Sequence, residues 1–409
     1  MNIRAFTLIE LLVVIAILAT LATAVILIIN PAELLKNARD SNRLSDLAAL
    51  NSALSLFQTD QYNLSLGTVS TTYVSVPDTS PTCANLGLPA LPSGWTYHCV
   101  PSSSSTRVDG TGWIPVNFSL ISSGSPLSKL PIDPINTTST GNYYTYTPGG
   151  SWELTMFPEA AKNKMGGAND KTSTDAGSYP DLYETGSNLT LLPVDYGDTS
   201  LVGYWKFDEG SGTTAYDSSG HGNNGSGNPV IDWTSSNCES GNCVTAASGY
   251  GTIYKISPTF SNVRSNVTIA HWVKINTAIA SSSWPYSASG NTHISYGFRS
   301  ASNGTSWYFE YATDYPTCGG SSFTATTASD IGLGAWHFLA MTYDGATIIT
   351  YLDGAQFMQR SFSTGFCGIP EFDFAGTPTA PGSFSVDNVR FYSRVLSAAE
   401  IQALYKSGQ

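Results

Sequence analysis

Apolar and polar positions divide the chain into three patterns. From Leu11 to Ile29 every residue is apolar except Thr20 and Thr23. As a helix this run spans roughly 28 Å, about one hydrocarbon core, and it predicts a transmembrane and assembly helix over 6–29. A single acid, Glu10, stands at its head between Ile9 and Leu11. A carboxylate near the end of a helix in lipid costs roughly 2–3 kcal/mol or less, so such a residue usually has a specific partner. Past Asn30-Pro31 the apolar positions thin to Leu34, Leu35, Ala38, Leu44, Leu47, Ala48, Leu54 and Phe57. Their three- and four-residue spacing predicts an amphipathic continuation over 30–62, with Glu33, Lys36, Arg39, Asp40, Arg43 and Asp46 on its polar face. Pro31 lacks an amide hydrogen and kinks or begins a helix, so the two halves can differ in direction.

The third pattern is short and β-like. Over 63–198 the clearest unit is the loop Leu130-Pro131-Ile132-Asp133-Pro134-Ile135-Asn136, followed by Tyr143–Tyr146 and Trp152–Phe157 around Pro148-Gly149-Gly150, which reads as a hairpin. Asp133 and Asn136 alone offer too few oxygens for calcium, which leaves that loop structural. Lys162 to Gly186, rich in Gly, Asn, Asp, Ser and Thr, reads as a surface loop. The character changes near residue 200. Leu201–Gly210 is a strand ending in an acidic turn, and Asp217–Gly225 is a Gly- and Asn-rich loop. Strand patterns then recur at 267–273, 336–343 and 384–392, and two Asp-Gly turns bracket Thr347–Leu352, a strong hairpin signal. Ser397 with Glu400 three residues on opens a last short helix with a capping box.

Composition narrows the class. Only 12% of the 409 residues are charged and the net charge is −12, the profile of an exported β-rich protein and not of a nucleic-acid binder. All six cysteines follow the apolar run. Six cysteines allow fifteen connectivities; the sequence-local pairing is Cys83 with Cys99, Cys238 with Cys243, and Cys318 with Cys367. The middle pair is favoured by the turn-forming Glu239-Ser240-Gly241-Asn242 between its ends. No C-x-x-C, H-E-x-x-H or G-x-S-x-G occurs.

The run Ala5-Phe6-Thr7-Leu8-Ile9-Glu10-Leu11-Leu12 resembles the amino-terminal motif of type IV pilins and pseudopilins. The resemblance implies that residues 1–5 are a leader cut by a prepilin peptidase between Ala5 and Phe6. Phe6 would then be N-methylated, and Glu10 would neutralise the terminal amine of a neighbouring subunit. The residue before the cut is more often Gly in that family; Ala is likewise small. Arg4 supplies the cytoplasmic positive charge that orients the segment. Two other readings compete. One is a secretory signal peptide cut after Ala22-Thr23-Ala24, although the apolar run continues to Ile29; the other is a plain membrane anchor, which leaves Glu10 unexplained.

The loop and hairpin of 130–157 are similar to the closing part of a pilin head. The motif order over 199–409 resembles laminin-G-like, concanavalin A-type jelly rolls. Together they imply an α+β pilin fold, with a long N-terminal helix and a small antiparallel head, followed by an all-β sandwich. The jelly-roll family binds carbohydrate or protein, often with calcium, and on that basis Asp217, Asn223, Asn224 and Asp387 are candidate calcium ligands, with Asp208 a weaker one. Trp284, Tyr286, Trp307 and Tyr311 are candidate ligand-binding aromatics. Glu371-Phe372-Asp373 resembles the start of a glucanase motif, but Gly376 replaces its last carboxylate, so no catalysis is expected. The expectation is a single-pass precursor in the cytoplasmic membrane that assembles with copies of itself or other pilins into a surface filament. Its jelly roll would adhere to a glycan or surface protein. The alternatives are a type II secretion pseudopilin and a membrane-tethered lectin that does not polymerise.

Overall fold

The computed structural model describes residues 8–61, 65–226, 233–246, 254–256, 266–277, 297–300, 306–312, 323–325, 329–361, 372–374 and 383–408. Two helices open the chain, α1 (Leu8–Ile29) and α2 (Pro31–Asp60). They are separated by Asn30, held at φ 43°, whose side-chain oxygen accepts from the Glu33 amide at 3.4 Å while Pro31 takes the first helical position. Asn tolerates this left-handed backbone and Pro needs no hydrogen-bond acceptor there, so the sequence breaks the rod at this point. Among the described residues no helix is long and apolar enough to cross a membrane. The described side chains of α1 end at Leu21, about 21 Å along the run, and the expected span over 6–29 extends past them at both ends.

The head packs α2 on a five-stranded sheet in the order Thr96–His98, Thr71–Val74, Tyr144–Pro148, Trp152–Met156, Tyr183–Gly186. Gly149 and Gly150 turn the expected hairpin, which pairs Tyr144 with Met156 and Pro148 with Trp152. Leu47, Leu50, Leu54 and Phe57 of α2 share a core with Trp113, Phe118, Tyr144 and Leu154.

The first half of α2 faces the other way from its sequence pattern. Leu34 and Leu35 are exposed, whereas Asp40 and Arg43, expected on the solvent face, are fully buried. The cause is an ion-pair network. Arg43 Nε and Nη2 donate to the two oxygens of Asp133 at 2.5 and 2.9 Å, and Nη1 donates to Asp40 Oδ1 and Glu159 Oε2, both at 2.8 Å. Asp40 also accepts from the amides of Glu159 and Ala160 and from Asn163 Nδ2.

Lys162–Gly186 is likewise not a surface loop. Asp170 accepts from the Gly166, Thr172 and Ser173 amides, so the polar residues satisfy their own turns, while Tyr179 and Leu182 enter the core and Tyr183–Gly186 completes the sheet.

From Leu201 a larger sheet is built in the order Ala355–Ser361, Thr347–Leu352, Trp336–Tyr343, Val267–Thr277, Ser383–Tyr392, Cys243–Ala246, Trp233–Thr234, with Leu201–Trp205 also pairing with Ser383–Tyr392. Two smaller sheets contain Tyr254–Ile256 and Ser306–Ala312. The helix α3 (Ala398–Ser407) carries the capping box of Ser397 and Glu400. One apolar cluster joins both parts, with Val74, Tyr179 and Leu182 of the head and Tyr204, Trp272, Phe338 and Leu404 of the larger sheet and α3.

Because Asp133 and Asp40 would be left as uncompensated buried charges, Arg43→Ala is expected to lower unfolding free energy by about 3–5 kcal/mol. Chemical denaturation of the variant beside wild type checks this.

Candidate ligand-binding cavity

The last strand carries a bulge. Ala270 faces Arg390 and Trp272 faces Asp387, so one residue of the long strand opposes two of the last, Asn388 and Val389. Asn388 takes φ 51° to accommodate the extra residue, and the bulge turns Asn388 and Arg390 into a cavity of about 550 Å³. The head contributes Gly177, Ser178 and Thr190 to its wall, and α3 contributes Leu404 and Ser407. The remaining side comes from Glu239-Ser240-Gly241, held in place by the Cys238–Cys243 disulfide.

Tyr204 lies opposite Arg390 in the strand register, with the guanidinium carbon 4.0 Å from its ring centroid. Arg390 Nη2 donates to Tyr204 Oη at 2.6 Å, which donates in turn to Asn388 Oδ1 at 2.7 Å. Asn388 Nδ2 donates to Glu239 Oε2 and Ser240 Oγ, both at 2.8 Å. Lys206 Nζ sits 3.9 Å above the Tyr179 ring and 3.3 Å from Ser178 Oγ. Burial pushes the Lys206 ammonium pKa down and those of Glu239 and Asp387 up, Asp387 strongly. Gly241, at φ 49°, has no room for a side chain, since a Cβ would lie 1.9 Å from Asp208 Oδ1.

Of the residues singled out from sequence, Asp208 lines the cavity and Asp387 lies beside it, and the others are placed as follows. Ala5, Phe6, Trp284, Tyr286 and the Cys318–Cys367 pair lie outside the described residues. Glu10 occupies the first turn of α1 and is exposed. Trp307 and Tyr311 are on the strand Ser306–Ala312. Cys83 and Cys99 are bonded, as are Cys238 and Cys243.

Three of the four candidate calcium ligands take part in hydrogen bonds around their own loop. Asp217 Oδ1 accepts from the Tyr204 and Ser219 amides and Oδ2 from the Asn223 amide, all at 2.9 Å; Asn224 Oδ1 accepts from the Asp217 amide and Asn223 Nδ2 donates to Val202 O. These bonds close the loop and tie it to the strand Leu201–Trp205. Asp387, fully buried, accepts from the Ser240 amide beside the cavity. Among the described residues no group of three or more His, Cys, Asp or Glu side chains is placed to hold a metal. Arg390 and Lys206 were missed in the sequence, though the signal existed: each is a cation inside an apolar strand pattern, Phe384–Tyr392 and Leu201–Phe207.

Architecture defines a β-sandwich region attached to a helical stem. Residues 1–26 match the family model of the prokaryotic N-terminal methylation motif, and residues 246–402 match that of the concanavalin A-like lectin/glucanases superfamily. The chain thus carries a prepilin-type amino terminus and a concanavalin A-like, laminin G-like domain. No curated protein matches it.

Among solved structures, the binding domain of Paraclostridial Mosquitocidal Protein 1 is 13% identical with a TM-score of 0.42, covering 50% of this chain and 52% of the other. A botulinum neurotoxin type C structure is 12% identical with a TM-score of 0.42, covering 51% of each chain. The Trypanosoma rangeli sialidase is 18% identical with a TM-score of 0.40, covering 51% of this chain and 33% of that one. The chain therefore spans about half the length of the two toxin chains and a third of the sialidase.

Since the Asp217 carboxylate meets only N–H donors, Asp217→Asn sets an amide against one of them and is expected to cost about 1–3 kcal/mol. Thermal unfolding with calcium and with chelator should give the same cost; a cost that appears only with calcium would assign the loop to the metal.

Proposed function

We propose that the chain is a structural subunit of a type IV pilus-like surface filament, with the sandwich as its adhesive, carbohydrate- or protein-binding part. The observation that carries this reading is a methylation motif leading into an apolar helix whose described side chains, residues 8–21, are all exposed. Leu8 is 80% exposed, Ile9 73% and Leu12 62%, and Leu18 and Leu21 continue the surface. A helix apolar all round is stable only when something covers it, first lipid and then neighbouring copies. In this reading the precursor sits once across the cytoplasmic membrane, prepilin peptidase cuts between Ala5 and Phe6, and Glu10 pairs with the Phe6 amine of the next subunit as the helix leaves lipid. Leu34 and Leu35 near the start of α2 are exposed apolar side chains as well. The reading requires neither a catalytic step nor calcium.

Mass spectrometry of protein sheared from cells should find N-methylated Phe6 as the first residue, and an intact Met1 would overturn the reading. Glu10→Ala should reduce surface fibres by about tenfold or more, since an unmatched amine must then be buried at every joint; fibres at wild-type number, counted by electron microscopy, would also overturn it.

A further inference from the structure

Acids meet acids twice where the head joins the sandwich. Glu153 opposes Gly186 and Thr155 opposes Glu184 in the strand register, so Glu153 and Glu184 are diagonal neighbours on one face of the sheet, and both are buried. Glu153 Oε2 accepts from the Leu191 and Leu192 amides at 2.6 and 2.7 Å, and Glu184 Oε2 accepts from the Tyr179 amide at 2.7 Å. The two carboxyl groups also hydrogen-bond each other, and Glu153 Oε1, closed off from solvent, meets no amide, amine or hydroxyl donor among the described residues. The second pair is Asp181 and Asp195, likewise buried and hydrogen-bonded to each other. Asp181 Oδ2 accepts from the Asp198 amide at 2.5 Å and Asp195 Oδ1 from the Gly197 amide at 2.8 Å. An ionised carboxylate has only acceptors, so a hydrogen bond between two carboxyl groups requires that one of them keep its proton. Both pairs sit at the joint: Asp195 donates its amide to Ser218 O, Asp198 is paired with Arg394, and Ser178 Oγ lies 3.4 Å from Glu184 Oε1 and 3.3 Å from Lys206 Nζ.

We propose that protons latch this joint, one shared by Glu153 and Glu184 and one by Asp181 and Asp195, so that the contact between head and sandwich weakens as pH rises. The charges around each pair fit one proton. Lys206 faces the glutamates across Ser178, and Asp175, which accepts from the Glu184 amide, adds a further acid on that side. Around the aspartates Arg394 is already shared by Asp198 and Glu400, Lys164 lies over the Phe157 ring, and Arg390 lies over the Tyr204 ring. The hydroxyls of Tyr143, Tyr179 and Tyr392 complete the surroundings. A second ionisation in either pair would set two like charges together out of water. Burial, with the neighbouring acid adding to it, pushes the Glu184 and Asp195 carboxyls well above the usual carboxylate range; burial also raises Asp181 and, to about 7, Asp175. In such groups the folded state keeps a proton that the unfolded chain releases above about pH 4, so stability is lost as pH rises from there toward the raised pKa.

Amide hydrogen exchange of the full chain in detergent, followed by mass spectrometry between about pH 6 and pH 8 and corrected for the intrinsic exchange rate at each pH, tests this. Protection of residues 179–198 should fall by about tenfold per pH unit for each proton that opening releases. Glu184→Gln and Asp195→Asn put an amide N–H where the shared proton lies; each should remove about tenfold per pH unit from that slope. Infrared spectroscopy reads the protons themselves. The C=O stretch of a neutral carboxylic acid should persist in wild type at pH 7 and weaken in each variant, a change that packing alone does not produce. The proposal is overturned if protection of this segment does not fall with pH, if wild type shows no neutral carboxyl band at pH 7, or if both folded variants keep the wild-type slope. Should a variant fail to fold, the wild-type slope and band decide the matter.

Discussion

Burying the Arg43 guanidinium costs several kcal/mol unless acids and hydrogen bonds meet it, and the head is arranged so that they do. Asp133 comes from the proline-rich loop, Glu159 from the segment after the hairpin, and Asp40 from the preceding turn of the same helix. Three separate stretches of chain are therefore set by one side chain. With Asp40 and Arg43 turned inward, Leu34 and Leu35 are left exposed.

The same requirement, that a group removed from water be met by a partner, sorts the other polar sites. The Asp217 carboxylate accepts from backbone amides of its own loop and of Tyr204, which ties the loop to the strand Leu201–Trp205. The Asp170 turn does the same in the head, freeing Tyr179 and Leu182 for the core that both parts share. Arg390 and Lys206 line a cavity together with Asp208 and Glu239, so charges of both signs face one space.

Stem and sandwich are linked by more than sequence continuity. Ala90 donates its amide to Gly220 O and Asp195 to Ser218 O, so loops of the head are hydrogen-bonded to the loop that follows the first sandwich strand. A load carried by the stem would reach the sandwich through a packed and hydrogen-bonded joint.

Local signals were legible directly in the sequence. The Asn30-Pro31 break, the hairpin around Gly149-Gly150, the Asp353-Gly354 turn and the Ser397–Glu400 cap each depend on backbone preferences of a few adjacent residues, and each appears where those residues stand. The Glu10 motif is also local, and it lies within the family match over residues 1–26. What sequence could not decide was which face of α2 turns inward, that Lys162–Gly186 folds into the core, and that the cavity exists. Those outcomes depend on groups more than a hundred positions apart, Arg43 with Glu159 and Ser178 with Arg390 beside one cavity, and no periodicity along the chain encodes which distant charge a side chain will meet. Sequence by itself determined where the chain turns, caps and becomes apolar; only the tertiary structure decided which charges meet within the molecule, because that depends on distances between segments remote in sequence.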